Sequence, residues 1–260
     1  MNAPSAKARL CAKGFICGPF VEIGAPELIE IAGLAGFDFA IIDREHAAFS
    51  GETVGNLIRA AARADIAPIV RVRENSPGPI LEALDLGAVG LHIPQIANAE
   101  DARRAVAAAK FPPEGERGFN PFVQAAAYGA EPIDEFRARS NDDTLLVLHI
   151  EARDSVDRID EILAVPGIDV AFLGPYDLSQ TLGIPGQVTH PRVRDAMQAV
   201  VEAARKRNLA VGSFANSREH AELWIAAGVS YLSYSLDSVI YLDACRRARA
   251  MLESLRPADS

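Results

Sequence analysis

The stretch IIDREHA, residues 41–47, sets Asp43, Arg44, Glu45 and His46 directly behind an apolar run. Other apolar runs end the same way: Arg71 closes IVR, His149 and Glu151 close VLHIE, Gln95 follows GLHIP, and Asp177 follows FLG in FLGPYDLS. Two carboxylates such as Glu151 and Asp177 give hard oxygen donors to a divalent cation and leave positions open for water and substrate, and an ion held that way is a Lewis acid. Arg71 would bring a permanent positive charge to a developing oxyanion. His46 is of the one side-chain type that ordinarily exchanges protons at neutral pH. This set points to chemistry on a metal-stabilised enolate. A Schiff-base route lacks its nucleophile, because no lysine stands near the apolar runs that carry Glu151 and Asp177. No Cys/His group has zinc spacing. Singly, each residue has a structural explanation: Asp177 as a helix N-cap, Glu151 as a solvated strand end, Arg71 as a surface charge, His46 as a loop histidine. Convergence on one rim would favour the chemical reading over all of these.

A fold that gathers strand ends is therefore the next question. Short β-branched or aromatic runs alternate with longer segments of helical period. The strand candidates are GFICGPFVEI, FDFAIID, APIVRV, AVGLHI, TLLVLHIE, DVAFLG, LAVGSF and VSYLSYS. Helical segments are expected over 26–34, 52–64, 79–85, 99–109, 155–164, 191–207 and 217–227. Eight strands buried on both faces and alternating with helices predict an α/β protein, a (β/α)8 TIM barrel forming one domain over residues 1–260. A doubly wound open sheet is the runner-up, without a GxGxxG after the first strand to support a dinucleotide site. In such a barrel the C-terminal strand ends share one mouth, where the ionisable residues would meet. Residues 110–132, KFPPEGERGFNPFVQAAAYGAEP, are too long for an ordinary connection and are expected to be a lid or binding loop.

Composition narrows the partners. A formal net charge of −9, from 35 acidic and 26 basic residues with no Lys/Arg run, argues against a nucleic-acid surface and leaves small molecules. Three cysteines, Cys11, Cys17 and Cys245, at unrelated spacings suggest neither disulfides nor a metal motif and fit a reducing cytosol. No apolar stretch is long enough to cross a bilayer and the N-terminus has no signal-like core, so a cytoplasmic protein without a membrane partner is expected.

The segments IIDREHA, IVRV, LDLGAVGLHIPQI, GERG, HIEAR, FLGPYDLS and GSFANS, in that order between about Gly18 and about Leu255, resemble the HpcH/HpaI family of class II 2-oxo acid aldolases. The resemblance implies a barrel of the pyruvate/phosphoenolpyruvate-binding superfamily that cleaves a 4-hydroxy-2-oxo acid to pyruvate and an aldehyde. It implies Glu151 and Asp177 as ligands of a divalent metal (Mg, Mn or Co), with Gly174 and the amides of Tyr176 and Asp177 at the pyruvate carboxylate. Arg71 resembles the oxyanion-stabilising arginine, His46 the base, Asp85 its acidic partner, and Asp43 belongs to the same catalytic motif. Two positions depart from the family pattern: Arg44 replaces a small residue, and His149 replaces a glutamine at a substrate-contact position. The family also implies a homohexamer, a trimer of dimers, in which the C-terminal helix is exchanged; the alternative for DSVIYLDACRRARAMLESL is an eighth barrel helix packed on its own sheet. Asp85 lies just before the fourth strand, at the end of the barrel away from His46, so the two can cooperate only between subunits. Alternatives to the aldolase are a CoA-ester lyase of the malyl- or citryl-CoA type and a barrel that binds a metal–oxoacid complex without turnover.

Overall fold

In the computed structural model, which describes residues 5–256, eight parallel strands close into a barrel in sequence order. They are β1 (Ile16–Val21), β2 (Phe39–Asp43), β3 (Ala67–Arg71), β4 (Gly90–Ile93), β5 (Leu145–Ile150), β6 (Val170–Leu173), β7 (Ala210–Ala215) and β8 (Tyr231–Leu236). All eight sequence candidates are strands, because each is a short run able to bury both faces. Side chains alternate between two apolar layers. Ile16, Phe39, Ile41, Ile69, Val147, Phe172 and Tyr231 fill the barrel. Ala40, Ile42, Val70, Leu91, Leu148 and Leu173 face the surrounding helices. The closing β1–β8 pair has a register shift between Gly18 and Phe20. Gly18 has a steric reason to be there: a Cβ at this position would stand 1.9 Å from the carbonyl oxygen of Phe39.

The helices Pro26–Leu34, Gly51–Arg63, Pro77–Asp85, Ala99–Ala109, Pro191–Arg205 and Arg218–Ala227 fall close to the predicted segments, while the one expected over 155–164 is split into Arg153–Asp157 and Ile159–Ile162. Their ends carry the local signals that sequence supplies. Ser50, Asn98 and Ser217 accept hydrogen bonds from first-turn amides, and proline opens the helices at 26, 77 and 191. A helix not anticipated, Ala6–Lys13, plugs the end of the barrel away from the strand C-termini: Ala6 joins the interior layer, and Lys7 and Lys13 bind Asp169 at 2.9 Å and Asp38 at 2.5 Å.

Residues 110–132 do not cover the mouth of their own barrel. They follow the helix Ala99–Ala109 and precede Ile133–Asp143, so they run across the bottom of the barrel. There Phe111, Ala126 and Phe136 form a small buried core and the Gln124 side chain donates to the carbonyl of Leu86. Of the segment's aromatic residues Phe111 is buried, with the half-exposed Phe119 edge-on to it, whereas Phe122 and Tyr128 are exposed at the end of the barrel opposite the mouth.

The last helix, Asp237–Ser254, leaves the barrel. Asp237 is buried and accepts from the amides of Glu22 and Ile23, but every residue from Tyr241 to Arg256 is exposed, including Leu242, Met251, Leu252 and Leu255. On either side of the vacated surface, Leu34 is 86% exposed and Ile225 46%. Packing of this helix along its own sheet is therefore not observed. Among the described residues no helix is long and apolar enough to cross a membrane.

Candidate active site

Strand parity decides where the residues of IIDREHA point. Asp43 shares the inward face with Phe39 and Ile41, and lies level with Arg71 in the β2–β3 register. Its carboxylate, fully buried, accepts from Arg71 Nε (2.9 Å) and Nη2 (2.5 Å) and from the amides of Glu45 (2.9 Å) and His46 (3.4 Å). Asp43 thus holds both the arginine and the loop behind β2. Arg71 also bonds Glu45 at 3.1 Å and lies over the Phe20 ring, 4.7 Å from its centroid. Burial opposes its charge, but Asp43 and Glu45 outweigh burial and raise its pKa above the ordinary arginine value. Two of the five guanidinium N–H groups are committed to Asp43 and the Nη1 end is ion-paired with Glu45, which leaves donors for a ligand. Arg44 points outward on the opposite parity: it is buried between helices and paired with Glu82 at 2.6 Å, so this departure from the family pattern does not touch the mouth.

Glu151 and Asp177 meet at Gly174. A Cβ built on Gly174 would lie 3.6 Å from Glu151 Oε1 and 3.8 Å from Asp177 Oδ2, so the two carboxylates flank a single point. Among the described residues no group of three or more His, Cys, Asp or Glu side chains forms a metal cage. Two carboxylates fit a hard cation of the Mg type, which keeps several water or substrate oxygens, and do not fit a structural zinc. Each Glu151 oxygen holds one hydrogen bond: Oε2 from the Gln95 amide at 3.2 Å and Oε1 from His149 Nδ1 at 2.5 Å. Burial alone would raise its pKa; His149, the Gln95 amide and the Arg71 charge outweigh burial and lower it, which favours the ionised carboxylate. His149 continues inward, with its Nε2 2.7 Å from His92 Nδ1, and His92 Nε2 lies 2.9 Å from the Tyr231 hydroxyl.

The remaining expected residues separate by location. His46 stands at the mouth with a largely exposed ring, its Nε2 3.9 Å from Glu45 Oε2. Gly174, Tyr176 and Asp177 line the mouth where the short helix Pro175–Thr181 begins, and the Tyr176 hydroxyl accepts from Asn216 Nδ2 at 2.7 Å. Asp85 is at the other end of the barrel, on the last residue of Pro77–Asp85, and binds Arg117 of the GERG segment at 2.8 Å. That pair supplies the reason for an acidic residue at a helix C-terminus, where the helix dipole disfavours it by ~0.3–1 kcal/mol. Within one chain Asp85 is not part of the site.

The HpcH/HpaI aldolase/citrate lyase profile matches residues 17–244. The chain belongs to this family. Relatives include the 2-keto-3-deoxy-L-rhamnonate aldolases of Escherichia coli, among them that of strain HS, 35% identical over 227 residues that cover 87% of this chain and 85% of the relative. Among solved structures, an HpcH/HpaI aldolase from Desulfitobacterium hafniense superimposes with a TM-score of 0.90 at 30% identity, covering 99% of this chain and 100% of the other. The citrate synthase SbnG superimposes with a TM-score of 0.87 at 30% identity, covering 96% and 98%. With its curated relatives named as aldolases over most of their length, the protein is a carbon–carbon lyase.

The mouth of the aldolase encloses a cavity of about 300 Å³, a volume suited to a small substrate. Its lining joins His46, Arg71, His149, Glu151, Gly174, Tyr176 and Asp177 to residues that sequence reasoning passed over, among them Phe20, Glu22, Asn216 and Ser235. Glu22 stands on the β1 side, across the barrel from Glu151 in the strand order, and no hydrogen bond or ion pair engages its carboxyl among the described residues. Burial and the neighbouring Asp43 and Asp237 raise its pKa. The signal for Glu22 was present, a carboxylate just past an apolar run, but it lacked a second chemical residue beside it. A second cavity adjoins the first and is lined by Glu45, His46, Gln95, Glu151 and Asp177.

Proposed function

We propose that this aldolase cleaves a 4-hydroxy-2-oxo acid to pyruvate and an aldehyde with a divalent cation held by Glu151 and Asp177. The observation that carries the reading is the convergence of two carboxylates, a free-donor arginine and an exposed histidine on one small cavity at the strand C-termini. The name of the curated relatives, 2-keto-3-deoxy-L-rhamnonate aldolase, supports the 2-oxo acid class. The cation, when bound, supplies Lewis acidity to the keto oxygen. The chain's own groups account for the rest. The amides of Tyr176 and Asp177 receive the substrate carboxylate, and Arg71 donates to the keto oxygen from the N–H groups that Asp43 does not hold. His46 takes the proton of the 4-hydroxyl; the C4–O bond becomes a carbonyl as the C3–C4 pair moves to form the enolate of pyruvate, and the aldehyde departs. Arg71, fixed by Asp43, stabilises the enolate oxygen until C3 is protonated.

The assembly proposed is a homohexamer, a trimer of dimers, supported by a C-terminal helix whose apolar residues find no cover on their own barrel. A reducing cytoplasm is supported by the free cysteines Cys11, Cys17 and Cys245.

The test is pyruvate release, coupled to lactate dehydrogenase, over a panel of 4-hydroxy-2-oxo acids with and without chelator. Chelation is expected to abolish activity, and Glu151→Gln or Asp177→Asn to abolish activity and metal dependence together while the fold persists. Chelator-resistant turnover in either variant overturns the metal assignment.

A further inference from the structure

Besides the Asp43–Arg71 pair, the interior of the barrel holds a line of three polar rings. Tyr231 opens β8 near the bottom, His92 sits within β4, and His149 lies toward the mouth end of β5. Phe20, Phe39 and Phe172 pack around them, the Tyr231 and Phe39 rings stacking at 4.3 Å and His149 and Phe172 at 4.7 Å. Tyr231 and His92 are fully buried and His149 is 2% exposed. The three are joined end to end and reach Glu151 at the mouth. Polar groups in so dry a setting cost free energy unless every proton finds an acceptor.

Only one direction of the line meets that condition. Glu151 Oε1 needs a donor, so His149 carries its proton on Nδ1 and leaves Nε2 as an acceptor. His92 must then donate from Nδ1 and accept at Nε2, and the Tyr231 hydroxyl donates there. Reversed, the line would turn a lone pair of His149 toward the carboxylate, and the Tyr231 proton would have no acceptor among the described residues. Burial supports the assignment, since it keeps His92 neutral and Tyr231 protonated.

We propose that Tyr231, His92 and His149 form a hydrogen-bond wire of fixed direction that sets the His149 tautomer and thereby orients Glu151 as a ligand for a divalent cation. His149 has no ring nitrogen left for substrate, so it is a positioning residue, and the substrate contact of the glutamine that the family commonly has here is absent. The proposal rests on Glu151 being a ligand, and it goes beyond that reading by assigning a role to a phenol three hydrogen bonds away.

Two measurements on the full-length, metal-stripped protein test it. The first is the affinity for Mn2+, read from the electron paramagnetic resonance of the free ion, in the wild type and in Tyr231→Phe. Loss of the donor leaves His92 free to adopt either tautomer, so affinity should fall about tenfold, the lower end of what outer partners of ligands usually contribute, with an unchanged circular dichroism spectrum. The second is magic-angle-spinning 15N NMR of histidine-labelled protein, with His149 assigned by the signals missing from His149→Gln. In the wild type His149 should carry its proton on Nδ1, and in Tyr231→Phe its signals should divide between tautomers. Affinity within twofold of wild type in a folded Tyr231→Phe overturns the proposal, as does a His149 protonated on Nε2 or on both nitrogens. Glu151→Gln separates the two readings: if it abolishes Mn2+ binding while Tyr231→Phe does not weaken it, the wire is wrong and the metal site stands. If Glu151→Gln binds Mn2+ normally, the metal site is wrong, and the proposal, which requires that ligand, falls with it.

Discussion

Breaking the bond between Asp43 and Arg71 should cost the aldolase both stability and catalysis, in amounts the geometry sets. Asp43 is fully buried and holds Arg71 through two N–H groups at 2.9 and 2.5 Å, with two backbone amides completing its shell. Removing one partner of such a pair typically costs ~3–5 kcal/mol, because the other charge stays buried. In Asp43→Asn, Arg71 keeps Glu45 at 3.1 Å, which places this variant at the low end, about 3 kcal/mol. In Arg71→Met the Asp43 charge keeps only backbone amides, so the upper end applies, about 5 kcal/mol. At ~2–4 °C per kcal/mol for a chain of this size, Tm should fall by about 6–12 °C in the first and about 10–20 °C in the second. The double variant removes both charges and should be less destabilised than the sum, with a coupling of about 2–3 kcal/mol. Thermal unfolding of the four proteins at one pH measures the cycle. Asp43→Asn should also lower kcat for aldol cleavage and for oxaloacetate decarboxylation alike, since Arg71 serves the enolate in both. Additivity within ~0.5 kcal/mol, or a wild-type kcat in Asp43→Asn, would refute the claim that Asp43 acts by fixing the arginine.

His46→Ala should slow aldol cleavage by ~10²–10⁴-fold, the usual worth of a general base, and leave oxaloacetate decarboxylation much less affected, because that reaction has no 4-hydroxyl to deprotonate; equal losses in steady-state assays would reduce His46 to a positioning role. Glu22→Ala should weaken kcat/KM for hydroxylated aldehydes in the addition of pyruvate by about 10–100-fold, the worth of one hydrogen bond to a charged or strongly polar group. The same variant should improve turnover of succinic semialdehyde, whose carboxylate Glu22 repels, and unchanged acceptor ratios would remove Glu22 from substrate recognition. Mixing Asp85→Asn with His46→Ala subunits under conditions that exchange them should restore activity above both parents if Asp85 serves His46 across an interface; exchange confirmed by mass spectrometry without recovery would refute this.

The elements of the barrel were legible because their signals are local. Strand runs such as FAIID and VAFL bury both faces whatever surrounds them, and Ser50, Asn98 and Ser217 cap helices with their own side chains. The rim residues were legible for the same reason: Arg71, Glu151 and Asp177 stand at the ends of runs whose type the sequence alone determined, and a parallel barrel brings all such ends to one mouth. Roles that depend on register and on the far side of the fold were decided only in three dimensions. Parity turned Asp43 inward to Arg71 and its neighbour Arg44 outward to Glu82, although the two are adjacent in the chain. Residues 110–132 offered length and aromatic weight, but the end of the barrel they cover followed from their position after a helix and not after a strand, and there Arg117 took up Asp85. Tyr231 and His92 lay unnoticed inside apolar strands, since a polar atom there is paired by strands about half a barrel apart in the closed order, β8 with β4, and no local pattern records that. The open face of Asp237–Ser254 followed the same rule: its apolar stripe was plain in the sequence, whereas the folded chain alone revealed that its own barrel leaves that stripe uncovered.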